Sequence, residues 1–345
     1  MKKILGLIFA TSLFALSSCD DDLEYDDFNT LENFKFLWKE IDEKYCFFDY
    51  KKDSIKRWDL VYDEYYSKVY YDVKSTTEFF DVLGAMLNEL KDGHVNLYSG
   101  FDVSHYDFDA NMPIDFDYNV MAYQDRYLAK DLRIASGLRY KTMRDGNVGY
   151  IRYSDFSSGF SNGQLNFVLG EYFENTKGLI IDVRNNGGGS ISNVNMFVSH
   201  FITEEIIIGY RVNKTGPGHS DFSAPVPEKV SPVKDGYIYT KPVYILTNRG
   251  CYSATNEFVY SMKGLPQVTI LGGKTGGGCG MPFTTELPCG WKVRFSANPC
   301  YDKYMNLTEF GVEPDIEVHL DEELAYKEKL DNIVETACDY IEGKN

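Results

Sequence analysis

Three short segments of the 345-residue chain bring together residue types that do acyl-transfer chemistry. Leu90-Lys91-Asp92-Gly93-His94-Val95 ends a helical pattern in Asp-Gly and sets a histidine directly after it. Gly178 to Asp182 reads as a buried strand, and it runs into the polar, glycine-rich turn Val183-Arg184-Asn185-Asn186-Gly187-Gly188-Gly189. From Val243 a second buried strand passes through Thr247-Asn248-Arg249-Gly250-Cys251-Tyr252 to Ser253 and Ala254, where a helix begins. A serine hydroxyl is a weak nucleophile at neutral pH and needs a base within hydrogen-bond reach; a histidine, with an unperturbed pKa of about 6.5, suits that task. The tetrahedral intermediate carries a negative oxygen that needs backbone N–H donors, and glycines let backbone approach a substrate closely. A serine at a helix N-terminus also lies beside free N–H groups and the positive end of the helix dipole. The structural alternative for Ser253 is a helix N-cap, and for the glycines a tight turn.

These segments need a scaffold. Residues 28–90 carry three helical patterns: Leu31 to Tyr45, Trp58 to Tyr71, and a run from Ser75 to Leu90 that opens with the capping pair Ser75 and Glu78. They predict a small N-terminal helical domain. From Asp92 onward, short β-like runs appear at 94–97, 148–153, 178–183, 242–246, 268–271 and 291–295, with amphipathic stretches at 165–173, 193–202 and 254–263 between them. Strands alternating with helices predict an α/β or α+β core over 91–320. Residues 214–235, rich in Pro, Gly, Ser and Lys, read as a long loop, and 321–345 as a C-terminal helix.

Taken in order, the segments resemble the core of the tail-specific (C-terminal-processing) and tricorn-type serine peptidases. The matching pieces are the Asp92-Gly93-His94 turn, the strand ending Asp182-Val-Arg184-Asn-Asn186-Gly-Gly188, the Thr247-Asn248 to Ser253-Ala254 turn, and Gly272-Gly273-Lys274-Thr275-Gly276-Gly277-Gly278. A fifth piece is Glu309-Phe310-Gly311-Val312-Glu313-Pro314-Asp315. The resemblance implies a ClpP/crotonase-like fold, an α/β (α+β) core of ββα units wound into a spiral. It implies Ser253 as nucleophile, with an oxyanion hole from the N–H of Ala254 and that of Gly187 or Gly188, a peptide or protein substrate, and no cofactor or metal.

The resemblance leaves the base in question. The processing branch uses a lysine about 25 residues beyond the serine, in a position that Gly278 occupies here; Lys274 lies four residues earlier. The tricorn branch uses a histidine in the turn that contains His94, so His94 is the expected base. Glu309 matches the glutamate that the tricorn branch uses to orient its histidine, but that branch also has a serine before the histidine, where this chain has Gly93. Asp92 is a second candidate orienter, and Glu257, one helical turn beyond Ser253, either faces the site or a solvated surface. His105, His200, His219 and His319 fall in no matching motif. Only residues 100–146 are available where many processing peptidases carry a PDZ domain, too few for one, so recruitment of a substrate C-terminus by that route is not expected.

Met1-Lys2-Lys3 followed by an apolar run from Ile4 to Leu16 has the length of a signal-peptide core and is too short to span a membrane. The run ends in Leu16-Ser17-Ser18-Cys19, which resembles a bacterial lipobox and implies residues 1–18 as signal peptide, Cys19 as the lipidation site and a membrane anchor. The acidic tether 19–27 resembles the surface-export signal of Bacteroidetes lipoproteins, and the expected location is the outer membrane or cell surface, lipid-anchored, with a periplasmic face as the alternative. A formal charge of −17 argues against nucleic acid and against electrostatic adsorption to anionic membranes. Export permits disulfides among the six remaining cysteines, with Cys289 and Cys300 a conceivable cross-strand bridge. No zinc-ligand spacing is present. The oligomeric state is not legible. The other function class this pattern admits is a catalytically inactive, peptidase-like lipoprotein that binds a peptide, a glycan or an apolar ligand; an ester hydrolase using the same residues is a third.

Overall fold

A computed structural model describes residues 29–107, 115–123, 126–128 and 132–344. The signal peptide, Cys19 and the acidic tether lie outside the described residues. Four helices come first, α1 (Thr30–Lys44), α2 (Phe48–Lys51), α3 (Trp58–Tyr71) and α4 (Thr76–Asn88), and the short α5 (Tyr118–Ala122) and α6 (Asn162–Leu165) follow further along the chain. The caps behave as the sequence indicates. Asn29 accepts the Glu32 N–H at the start of α1, and Ser75 accepts the Glu78 N–H at the start of α4.

A seven-stranded sheet forms the centre. Its strands in chain order are β3 (Arg133–Ala135), β4 (Leu138–Met143), β5 (Val148–Tyr153), β6 (Gly178–Asp182), β9 (Val243–Thr247), β10 (Val268–Gly272) and β13 (Ile316–Glu317). β5, β6, β9, β10 and β13 run parallel, and the β3–β4–β5 meander is antiparallel. Both faces of this sheet are covered. One packs on α7 (Ile191–Ser199) and α8 (Ala254–Met262) through Phe197, Phe258 and Val259; the other packs on α10 (Asn332–Glu342) through Ile333, Val334 and Ala337. Burial on both sides is why β6 and β9 read as unbroken apolar runs.

A second sheet contains β1 (Asn96–Tyr98), β2 (Val103–His105), β7 (Ile206–Arg211), β8 (Val226–Val230), β11 (Gly280–Glu286) and β12 (Lys292–Asp302). The N-terminal helices share one core with it: Phe34, Leu37, Phe79 and Leu83 meet Trp291, Val293 and Phe295. The helical module therefore caps this sheet rather than closing a core of its own.

Three expectations change. Residues 214–235 are not all loop, since β8 forms there and pairs antiparallel with β7. The C-terminal segment is two helices, α9 (Glu322–Glu328) and α10, broken where Lys329 turns left-handed and Asp331 starts the next cap. Cys289 and Cys300 lie before and at the far end of one strand, β12, and cannot bridge neighbouring strands; the six described cysteines are all free.

Candidate active site

The two glycine- and asparagine-rich turns follow parallel neighbours, β6 and β9, and are tied together. The Asn185 N–H donates to Asn248 Oδ1 (2.8 Å), and Asn248 Nδ2 donates to Asn185 Oδ1 (2.6 Å). Asn186 Oδ1 accepts from the Gly188 N–H (3.0 Å) and from Thr255 Oγ1 (2.6 Å). Below them, Asp182 and Arg184 form a fully buried pair, Nη2 to Oδ2 at 2.7 Å, and Arg184 reaches Asp331 at 2.8 Å. This part of the motif is structural. It locks the end of β6 to the cap of α10.

Ser253 stands between β9 and α8 with φ 56° and ψ −123°, a conformation that a non-glycine residue holds only at a cost of about 1–3 kcal/mol. It occupies the N-cap position, yet its side chain caps nothing. Its hydroxyl instead meets His94, with Oγ 3.0 Å from Nε2. Ser253 N–H donates to Gly277 O (2.9 Å), pinning the serine to the glycine-rich loop. The pair is thus brought together across 159 residues, as the Asp-Gly-His and Ser-Ala motifs imply.

Around the serine, backbone donors converge. Gly188, at φ +108°, is so close that an added Cβ would lie 2.8 Å from Ser253 Cβ and 3.0 Å from Ala254 N. Among the described residues, nothing accepts the N–H of Ala254 or Gly187, whereas that of Gly188 is engaged by Asn186. Of the two glycines considered from sequence, Gly187 is the one with a donor to spare.

The glycine at the lysine position has a steric cause. A Cβ on Gly278 would come within 2.3 Å of the Tyr252 ring, so Tyr252 fills the space a side chain there would need. The same ring packs against His94, centroids 4.9 Å apart. Lys274 is half exposed and pairs with Glu313 at 2.6 Å.

Behind His94, the two candidate orienters Asp92 and Glu309 lie in a buried charge cluster whose cation, Lys51, sequence patterns did not reveal. The His94 N–H donates to Asp92 Oδ1 (2.8 Å), and the Tyr45 hydroxyl donates to Asp92 Oδ2 (3.0 Å). Lys51, at the end of α2 and only 4% exposed, sits 2.9 Å from Glu309 Oε1 and 3.6 Å from Asp92 Oδ2. The second Glu309 oxygen accepts the Cys279 N–H (3.0 Å). Glu309 is therefore bound to Lys51 and backbone, with no hydrogen bond to His94. Asp92 is the carboxylate that touches the histidine, through its main chain. The His94 Nδ1 completes no hydrogen bond, although the Gly280 main chain nearby favours its protonated form. Lys51 sits in the undistinguished run Asp49-Tyr50-Lys51-Lys52-Asp53, and only the three-dimensional path of α2 singles it out. Glu257 is also buried, at 5% exposure, beside the serine. The histidines without a motif lie elsewhere: His200 contacts Tyr237 O, His219 Asp42 and His319 Asp115.

Burial sets the protonation states. It pushes the His94 ring down to about 4, against the pull of Asp92's charge. Burial would raise Asp92, but Lys51 and His94 outweigh it and hold that carboxyl below its ordinary value. Burial, then Asp92's charge, lifts Glu309 to about 7 despite Lys51. His94 is thus neutral at any pH well above 4, and in its Nδ1–H tautomer Nε2 accepts. The acid limb of a Ser253 reaction is expected near pH 4, not 6.5. Its rate at pH 5.5 should stay within about twofold of that at 7.5, where an unperturbed histidine would lose about tenfold. Fluorophosphonate reaction rates between pH 4 and 8 check this, and a midpoint near 6.5 contradicts it. For stability the two shifts oppose. The lowered His94 contribution is complete above pH 6.5 and is lost as pH falls toward 4. The raised Glu309 contribution is complete below its unfolded value and is lost as pH rises through 7.

Lys51→Met leaves two buried carboxylates without their cation. A loss of about 3–5 kcal/mol is expected. The loss is smaller at pH 5.5 than at pH 8, because Glu309 can then take up a proton. Urea unfolding at the two pH values measures both numbers.

The profile of peptidase family S41 matches residues 147–318, and that of the tricorn protease C1 domain matches 29–88, the helices before the site. A crystal structure from Parabacteroides merdae, provisionally described as a peptidase, is 45% identical, with a TM-score of 0.84 over 90% of this chain and 96% of that one. Mature CPAF shares the fold at 14% identity, covering 92% of this chain and 98% of its own with a TM-score of 0.68. The photosystem II D1 C-terminal processing protease does so at 14% identity, 85% and 94% coverage and a TM-score of 0.51. This chain belongs to peptidase family S41, among the tail-specific and tricorn-type serine peptidases.

Proposed function

We propose that the chain hydrolyses peptide bonds through a Ser253 acyl-enzyme, with His94 as general base. The observation that carries this reading is the 3.0 Å contact between His94 Nε2 and the oxygen of a strained, non-capping serine. His94 takes the Ser253 proton as Oγ attacks the peptide carbonyl, and the N–H groups of Ala254 and Gly187 receive the oxyanion. His94 then gives the proton to the leaving amine, and a water attacks the acyl-enzyme by the same route in reverse. Asp92, the nearest buried negative charge, favours the imidazolium that forms in each step and fixes the histidine main chain; Glu309 acts at one remove, by holding Lys51. No step uses a metal or organic cofactor.

Hydrolysis of denatured casein by the purified chain, abolished by prior stoichiometric fluorophosphonate, is the expected result. Hydrolysis that survives the treatment, or none from folded protein, overturns the reading; the second outcome favours a binding lipoprotein that keeps the fold without the chemistry. Lipidation at Cys19 and a place on the outer membrane or cell surface belong to the same proposal, supported by the Leu-Ser-Ser-Cys sequence and the acidic tether. Incorporation of labelled palmitate that persists in Cys19→Ser would refute the anchor.

A further inference from the structure

Strand β12 pairs with β1, the strand that follows the base, and their alternation decides which side chains share its face. Val95 and Leu97, with Val293 and Phe295 across from them, bury into the core shared with the N-terminal helices. The residues between them point to the other side of the sheet. On that side stand His94, whose Nε2 meets Ser253 Oγ, then Asn96, and then Arg294, directly opposite Asn96 in the register. On its other flank Arg294 faces Thr284 of β11. Among the described residues the five N–H donors of this arginine find one acceptor, Asn96 Oδ1 at 3.4 Å, and no carboxylate. In a chain of 52 acidic and 35 basic residues, Arg144, Arg152, Arg184 and Arg211 each hold a carboxylate. Arg294 is half-buried, so its charge is partly withdrawn from water without an internal counter-ion.

The guanidinium lies close enough to the base to act on it. Burial holds the His94 ring low, the Asp92 charge pulls it up, and the Arg294 charge pushes it down again. As general acid, His94 must reach the leaving amine, so the leaving-group half of a bound peptide passes the His94 side of Ser253. Toward residue 92 the way is filled by the buried Asp92, Lys51 and Tyr45. Toward Arg294, half-buried, and Thr284, exposed, it is accessible. An extended peptide advances about 3.3 Å per residue, so a group about one to three residues beyond the cut bond comes level with Arg294. A planar, permanently charged guanidinium with donors to spare is matched best by a carboxylate, held through paired N–H···O bonds.

Building on the reading that Ser253 forms the acyl-enzyme with His94 as base, we propose that Arg294 is a specificity-determining residue that binds a substrate carboxylate on the leaving-group side of the cut bond. The carboxylate belongs to an Asp or Glu side chain or to the substrate's own C-terminus, which present the same group. Pairing has a second consequence. The bound carboxylate offsets the guanidinium and so removes a charge that opposes the imidazolium. The imidazolium exists only once the serine proton has moved, so recognition raises turnover as well as affinity.

The test is a set of four peptides built on one casein cleavage site. They carry either Glu or Gln at the positions just after the cut bond, and end there in a free or an amidated C-terminus. Values of kcat/KM are measured for wild type, Arg294→Lys and Arg294→Met. In the wild type the fastest carboxylate-bearing peptide should exceed the Gln amide by at least about tenfold. The Glu amide and the Gln acid tell a side-chain source from a terminal one. Arg294→Met should bring the ratio within about twofold, by slowing the acidic peptide and not the Gln amide. Arg294→Lys, which keeps the charge but not the paired donors, should fall between. A wild type that cuts the Gln amide as fast as every acidic peptide overturns the proposal, as does a preference that survives Arg294→Met. An equal loss on all four peptides in Arg294→Met also overturns it, since the residue then serves the fold or the base and not the substrate. Where Arg294→Met fails to fold, Arg294→Lys decides: an unchanged ratio overturns the proposal, and one cut at least about threefold supports it. An adduct on Ser253 with fluorophosphonate but no discrimination among the peptides, hydrolysed or not, defeats the Arg294 assignment alone. No adduct at all defeats the parent reading instead.

Discussion

Ser253→Ala is expected to remove about 10⁶ of the turnover rate while leaving the fold intact. The backbone around residue 253 is held by Gly277 O and by the Asn185–Asn248 pair, none of which uses the hydroxyl. Alanine even lacks the polar atom that His94 contacts, so nothing buried and charged is left unpaired. The residual rate is what Ala254, Gly187 and substrate positioning supply on their own, typically about 10³–10⁴ over water. Activity within tenfold of wild type would place the nucleophile elsewhere.

His94→Ala is the second large effect, about 10⁴–10⁶ in the same assay, and the double variant should be little worse than either single one. Among the described residues, His94 is the side chain hydrogen-bonded to the Ser253 hydroxyl, and its loss removes that acceptor. The family's alternative base is shut out by geometry: Gly278 stands against the Tyr252 ring, and Lys274 is turned to Glu313. Lys274→Ala should accordingly stay within about twofold of wild type. A large loss in Lys274→Ala with little in His94→Ala would reverse the assignment of the base.

How far these residues could be found beforehand depended on how local their signals were. The Asp-Gly-His and Ser-Ala turns, the glycine-rich loops and the apolar strands β5, β6, β9 and β10 are short-range patterns, and they appear where the sequence puts them. β8 was hidden because Pro227, Glu228 and Lys229 break the apolar alternation that marks a strand, and pairing with β7 overrides that local weakness. β12 continues well past its apolar start through Ser296, Asn298 and Pro299 for the same reason. Lys51 was invisible because nothing in its neighbourhood differs from a solvated helix end; its role exists only once α2 lies under Asp92 and Glu309. Glu309 illustrates the limit of carrying a role across by motif. The residue is where the family pattern puts it, but the partner its carboxylate finds is Lys51, and the charge nearest the histidine is Asp92. Glu257 could be read from spacing as sharing a face with Ser253, but not as buried, which depends on β11 and β12 closing over it.

The central claim is that one serine, made reactive by one histidine, does the chemistry. Peptide-level mass spectrometry after brief exposure to a fluorophosphonate tests it most directly. A single adduct on the peptide containing Ser253 is predicted, absent in Ser253→Ala and slowed at least about 10³-fold in His94→Ala. An adduct at another residue, or none on protein with a native unfolding transition, would contradict it.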